Sequence, residues 1–291
     1  MKRILILMAT YNGSKYIETQ LESILSQKNV DLEILISDDC STDNTLDLVS
    51  KYSASKKITL ISTTKKFGSA SSNFFNLVEH ASIDSFDYIS FSDQDDIWFE
   101  DKLYSAISKL EELKYDGYSS DVTAFWNETN KRKLIKKSFP QKDHDHWFES
   151  PGPGCSHVLS ANSFKLFQEF IKDNNKHLSD IEYHDWLIYA FYRYNNLKWI
   201  ISNEPKMLYR QHANNVSGAN HNLSSRYSRF KKIMNNWYKK QIMLSYELVT
   251  KRKFNQFIKS EKLIFKPFSL RRKTSYSIAI WLLLLLGMFR N

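Results

Sequence analysis

The chain has 291 residues, enough to bury a substantial core in one large α/β domain, or in one domain with an appendage. With 42% hydrophobic, 25% charged and 14% aromatic residues it is neither a disordered chain, nor a collagen-like fibre, nor a polytopic membrane protein, and 7 Gly and 5 Pro leave no room for low-complexity linkers. The net charge of +9 is uneven: residues 221–275 carry 15 Lys/Arg against 2 acids, whereas residues 1–220 carry 25 basic and 30 acidic residues. Cys40 and Cys155 stand in no CxxC pair, so neither a disulfide framework nor a structural zinc site is supported, and a reducing cytosol is the expected compartment.

Lys2 and Arg3 precede a six-residue apolar run, 4–9, too short for a signal peptide and without a cleavage site. Residues 3–9 are predicted to form a buried strand. A helix from about Ser14 follows, with Ile17, Leu21, Ile24 and Leu25 on one face. Residues 32–37 form a second strand, a polar run rich in N-cap residues follows, and Leu46 and Val49 lie on a short helix. A third strand covers 58–62. Phe74, Leu77, Val78 and Ala81 mark a helix, 87–91 a fourth strand, and Leu103, Ile107 and Leu110 the helix after it. Residues 122–126 are a strand, and Pro151-Gly152-Pro153-Gly154 is the strongest turn signal. Helices follow around Phe164, Phe167 and Ile171 and over 183–193, then strands at 198–202 and 206–210. From 224 to 258 the pattern is helical, through Tyr227, Phe230, Met234, Trp237, Gln241, Leu244 and Leu248.

Alternating strands and helices imply a largely parallel sheet with helices on both faces. Ligands bind such sheets at the carboxyl ends of the strands. Three polar clusters fall there: residues 10–13, 38–43 and 92–96. The chain lacks GxGxxG after its first strand and has no GxxxxGK[ST], which disfavours a dinucleotide fold and removes a P-loop. In Asp93-Gln94-Asp95-Asp96 the carboxylates repel one another unless a cation joins them. Oxygen ligands of this kind suit Mg²⁺ or Mn²⁺; a solvated acidic turn capping the next helix is the alternative. Asp185 stands near the start of a helix, where an acid also stabilises the N-terminus.

Thr10-Tyr11-Asn12, the run from Ser37 to Thr45, and Ser-Asp-Gln-Asp-Asp-Ile-Trp at 92–98 occur in the order and spacing of family 2 glycosyltransferases of the GT-A fold. Gly68 with Asn73-Phe74, Gly154-Cys155, His184-Asp185-Trp186 and Tyr209-Arg210-Gln211-His212 extend the likeness over about residues 1–220. The form around Asp93 looks most like the bacterial rhamnosyltransferase branch. The resemblance implies a nucleotide-sugar site containing Thr10, Tyr11, Asn12, Asp39, Gly68, Asp93, Gln94 and Arg210. Thr10, Tyr11 and Asp39 would hold base and ribose, and Arg210 the diphosphate. It implies Mg²⁺ or Mn²⁺ on Asp95, with Asp93 facing the ribose or the metal shell and His212 as metal or diphosphate ligand. Asp185 would be the catalytic base. His184 is expected to be an orienting neighbour, Gly154 a turn or a close approach to the acceptor, and both cysteines packing residues.

The expected fold is thus α/β, a GT-A domain over 1–220, followed by a basic helical extension, 221–291. Within the extension, Lys251-Arg252-Lys253 and Arg271-Arg272-Lys273 precede an apolar run at 276–289, too short to span a bilayer comfortably. It reads as a monotopic anchor on an anionic membrane surface, placing the protein at the inner face of the cell membrane. The expected function is inverting, metal-dependent transfer of a sugar such as rhamnose from a nucleoside diphosphate donor, dTDP-rhamnose or a UDP-sugar. The acceptor would be a growing cell-surface polysaccharide or a lipid-linked glycan. A UDP-hexose transferase is one alternative. A non-catalytic protein whose basic tail binds nucleic acid or lipid is another, although no nucleic-acid motif appears. A homo-oligomer is left open.

Overall fold

The computed structural model describes residues 1–53, 57–62, 64–212 and 236–289. The first half alternates β1 (Lys2–Thr10), α1 (Ile17–Leu25), β2 (Val30–Asp38), α2 (Thr45–Ser53), β3 (Ile58–Leu60), α3 (Ala70–His80), β4 (Tyr88–Ser92), β5 (Ile97–Trp98) and α4 (Lys102–Leu113). Next come β6 (Gly117–Ser120), β7 (Val122–Trp126), β8 (Lys131–Ile135), α5 (Asp145–Phe148), β9 (Val158–Ser160), α6 (Ala161–Asn174), α7 (His184–Tyr194), β10 (Trp199–Ser202) and β11 (Met207–Arg210). Three helices close the chain: α8 (Trp237–Thr250), α9 (Phe254–Ser260) and α10 (Thr274–Leu285).

The main sheet runs β10-β6-β9-β4-β1-β2-β3 and is parallel except for β9, which is antiparallel to both neighbours. Side chains alternate across a strand, so β1 feeds two cores. Ile4, Ile6 and Met8 pack with α1, Val49 of α2 and α4, whereas Leu5, Leu7 and Ala9 pack with α3, α6 and α7. A second sheet, β5-β11-β7-β8, lies beside it. β6, β8 and β9 were not foreseen from the sequence. Ser119 and Ser120 of β6 are buried but hydrogen-bonded, and Lys131–Ile135 is a charged hairpin strand.

The boundary expected at residue 220 is not a packing boundary among the described residues. Ile242, Tyr246, Phe254, Phe257, Leu263, Leu270, Ile280 and Leu284 join the same core as α3, α6 and α7. Each such side chain stabilises by about 1.5–3 kcal/mol when fully buried. The long helix expected over 224–258 is broken by Lys251, at φ 58°, and residues 224–235 lie outside the described residues.

Of the basic triplets, Lys251, Arg252, Lys253 and Lys273 are exposed, but Arg271 and Arg272 turn inward. Arg272 is 3% exposed and pairs with Asp145 and Glu149, and Arg271 pairs with Glu149. Removing one partner of such a buried pair costs about 3–5 kcal/mol. Lys251 bonds to Asn174 and Lys253 to Glu247. α10 is apolar after its first turn, Thr274 to Ser277. It buries Ser277, Ile280 and Leu284 but leaves Leu282 and Leu285 47% and Leu286 75% exposed. No helix among the described residues is long and apolar enough to cross a membrane.

Candidate active site

The register that pairs Thr10 with Asp38 and Met8 with Ser92 brings the carboxyl ends of β1, β2 and β4 side by side. Most polar residues there tie one strand end to the next. Thr10, 1% exposed, donates its hydroxyl to Asp38 at 2.6 Å, and Asp38 also takes the N–H and hydroxyl of Ser41. Asn12 accepts from the Thr42 N–H, and its own N–H donates to Ser41. Gln94 forms a two-way amide pair with the Tyr11 main chain, at 2.8 and 2.9 Å. A side chain on Gly13 would collide with that pair: its Cβ would lie 2.2 Å from Gln94 Oε1. Asp39, 5% exposed, accepts the N–H groups of Phe67 and Gly68, and Gly68 takes a φ of 77°.

Of the residues expected to bind nucleotide, Thr10, Asn12, Asp39, Gly68 and Gln94 are therefore engaged in this scaffold. The Tyr11 ring, 45% exposed, is presented outward, with the Lys66 ammonium 5.9 Å away. Asn73 donates to the Ser37 carbonyl at 2.9 Å, fixing α3 against β2.

The acidic turn after β4 divides in two. Asp95 Oδ2 meets His212 Nε2 at 2.6 Å, and both side chains are partly exposed, 13% and 24%. His212 stacks on Tyr16 at 5.3 Å. β11 delivers this contact. The Arg210 N–H donates to Asp96 at 3.0 Å and its Nε to the Asp95 carbonyl at 2.6 Å, while its guanidinium lies 4.5 Å from the Tyr16 ring. Arg210, 4% exposed, clamps the turn.

Asp93, also partly exposed, turns to different neighbours. Its carboxyl groups with Asp96 and Cys155, with one ligand atom of each within 4.8 Å of the others. Burial and the nearby Asp95 raise the Asp93 carboxyl to about 7. Burial pushes Asp96 well above the carboxylate range. It does the same to the Cys155 thiol, with the two acids adding to the effect. A protonated thiol is a poor metal ligand. Cys155 is packed in the core, as the sequence places it, and is also a neighbour of two acids. Beneath them Lys102, 3% exposed, sets its ammonium 3.4 Å from the Trp98 ring, and burial holds it down to about 7. The carboxylate and imidazole of Asp95 and His212, with the partly exposed Asp93 two residues away, suit a hard divalent ion better than a group that includes a buried thiol.

Asp185 opens α7. Its Oδ1 accepts the Trp186 N–H at 2.8 Å and its Oδ2 the Ser150 hydroxyl at 2.9 Å. Burial raises its carboxyl above the usual range. The two hydrogen bonds and the Lys137 charge oppose that rise. The Asp185 charge adds slightly to the rise of the Asp93 carboxyl. His184 is stacked 3.9 Å from Phe74, and burial drops it to about 3. The Gly154 hydrogen faces His184: a Cβ there would lie 2.3 Å from its Nε2. Gly154 therefore makes room for His184. Ser150 and Lys137 carried no sequence signal, because neither stands in a motif.

A family model described as glycosyl transferase family 2 matches residues 5–171. The dTDP-rhamnosyl transferase RfbG of Shigella flexneri is 40% identical over 290 residues, covering 97% of this chain and 100% of that protein. The crystal structure of S. aureus TarS 1-349 in complex with UDP-GlcNAc superposes with a TM-score of 0.55 at 16% identity, over 90% of this chain and 76% of that one. Mannosyltransferase PcManGT from Pyrobaculum calidifontis, in complex with GDP-Man and Mn²⁺, gives a TM-score of 0.52 at 14% identity, over 99% and 79%.

Proposed function

We propose that this chain, which belongs to glycosyl transferase family 2 and is a glycosyltransferase of GT-A fold, transfers a rhamnosyl group with inversion from dTDP-rhamnose. The acceptor is a growing cell-surface polysaccharide or a lipid-linked glycan. The observation that carries the donor is the near full-length similarity to the Shigella enzyme. The chemistry rests on the site. Tyr11 offers an exposed ring against which a base can stack. Asp95 and His212 would hold Mg²⁺ or Mn²⁺, which when bound neutralises charge on the leaving diphosphate. Arg210 keeps the acidic turn in place. Asp185 takes the proton of the acceptor hydroxyl as that oxygen bonds to the anomeric carbon, on the face opposite the departing nucleoside diphosphate. The bond from that carbon to the diphosphate oxygen breaks, and dTDP leaves with the electron pair.

A donor panel tests this. A ligand bound only by the native state stabilises it by RT ln(1 + [L]/Kd), about 2.7 kcal/mol at a hundredfold excess over Kd. With Mg²⁺ or Mn²⁺ present, dTDP-rhamnose is expected to raise Tm more than UDP- or GDP-hexoses, and to do so weakly in EDTA. A larger rise with a UDP-hexose would replace the donor. An EDTA-insensitive rise would remove the metal.

The later turns of α10 leave Leu282 and Leu285 half-exposed, and the segment before it leaves Phe265 75% and Phe268 57% exposed, with the exposed Lys262 and Lys273 close to them in sequence. That pairing supports peripheral attachment to anionic lipid at the inner face of the cell membrane. Leu282→Ser, Leu285→Ser and Leu286→Ser together are expected to abolish sedimentation with phosphatidylglycerol vesicles in high salt, with Tm unchanged because these side chains lie outside the core. Undiminished sedimentation would rule out this face.

A further inference from the structure

Arg272 lies in the segment before α10, with its side chain 1% exposed. Its Nη1 donates to Asp145 Oδ2 at 3.0 Å, its Nη2 to the Ser150 carbonyl at 2.6 Å, and its main-chain N–H to Glu149 at 2.5 Å. It thus grips three positions of one short segment, 145–150.

That segment reaches Asp185 in two ways. Directly, the Ser150 hydroxyl sits 2.9 Å from Asp185 Oδ2. The same hydroxyl lies 2.6 Å from the Gly152 carbonyl, so its single proton is shared between two acceptors. Holding the Ser150 main chain decides whether it stays within reach of the acid. Indirectly, Asp145 accepts from Tyr189 and from Arg193, each at 3.0 Å. Both stand on α7, four and eight residues after Asp185, on the same side of that helix.

We infer that Arg272 is a positioning residue for the transfer reaction, fixing the carboxylate of Asp185 through Ser150 and through the Asp145 anchor of α7. The inference rests on the reading of Asp185 as the base. A salt bridge kept only for stability can often be exchanged for apolar packing. This one differs in that both of its routes end at the reacting group. A planar guanidinium is suited to the task because two separate nitrogens, held in a fixed fork, reach Asp145 and the Ser150 carbonyl, whereas an ammonium has one nitrogen and no such fork.

Arg272→Lys and Ser150→Ala, alone and together, test the proposal, with kcat, donor affinity and Tm measured on the full chain. Misplacing a catalytic group by about 1 Å can cost about 10²-fold. Each single variant is expected to lower kcat at least about tenfold while donor affinity holds. The pair should lose no more than the worse single, because residues acting along one path are not additive. Ser150→Thr, which keeps the hydroxyl, should recover kcat. Wild-type kcat in Ser150→Ala, or losses that multiply in the pair, would overturn the inference. So would an Arg272→Lys effect in which donor affinity falls with kcat. Asp185→Asn separates the two readings. If it retains turnover, Asp185 is not the base. If it collapses while Ser150→Ala and Arg272→Lys stay active, only the positioning role fails.

Discussion

Asp185→Asn is expected to bind donor as the wild type does while turnover falls about 10²–10⁴-fold, the usual cost of losing a general base. Asparagine fills nearly the same space, and its carbonyl can still accept from the Trp186 N–H or the Ser150 hydroxyl that now hold the carboxylate. It cannot take a proton. The site already favours proton acceptance, because burial raises the Asp185 carboxyl above the usual carboxylate range. A base must be ionised to act, so wild-type kcat should fall as pH drops through that raised value. The acid limb should therefore lie above that of an ordinary aspartate, and should vanish in the residual activity of Asp185→Asn. Stability should change little, since the variant removes a charge that burial disfavours. The measurements are kcat against pH, and donor affinity from thermal titration. Donor affinity falling in step with kcat would make Asp185 a binding residue instead.

The parts of this enzyme that could be read from the chain are those where one residue's neighbours decide its state. Ile4, Ile6 and Met8 alternate with Leu5, Leu7 and Ala9 because β1 is covered on both faces, and a buried parallel strand shows itself as an unbroken apolar run. The strand-end clusters were legible for the same reason: polar residues directly after such a run have few places to go but the sheet edge. What they do there was not. Thr10, Asn12, Asp39 and Gln94 look like ligand contacts in sequence, and what the sequence does not show is that their hydrogen bonds also close loops 28 to 83 residues away. Arg272 shows the converse. A basic triplet before an apolar helix looks solvated, and only contacts with Asp145 and Glu149, more than 120 residues earlier, reveal its middle residue as buried. The sole trace in the sequence is the pair of acids flanking the apolar Trp147 and Phe148. β6 was missed because its serines are buried with hydrogen-bond partners, a pattern that hydrophobic periodicity cannot detect.

Asp95→Ala is expected to keep the fold and lose turnover. Its carboxylate meets the His212 imidazole at 2.6 Å across a gap of 117 residues, with both side chains reachable from solvent. Among the acids of this turn it is the one outside the group that Asp93 and Asp96 form with Cys155. A divalent ion held there contributes several kcal/mol to charge stabilisation on the leaving diphosphate, and each 1.36 kcal/mol is tenfold in rate. A loss of about 10²–10³-fold or more therefore follows from removing this carboxylate. The stability effect should have the opposite sign in metal-free buffer. Burial and the Asp95 charge together hold Asp93 up at about 7, so deleting Asp95 removes a like-charge repulsion, and Tm in EDTA should be equal to or above that of the wild type. With dTDP present, the wild-type Tm should climb on adding Mn²⁺ and the variant Tm should not. His212→Ala should behave in parallel. The double variant should then lose little more than either single, since both side chains serve one ion. Turnover near the wild-type level in Asp95→Ala, with the Mn²⁺ response intact, would take Asp95 out of the metal site and leave its contact with His212 a structural tie between β4 and β11.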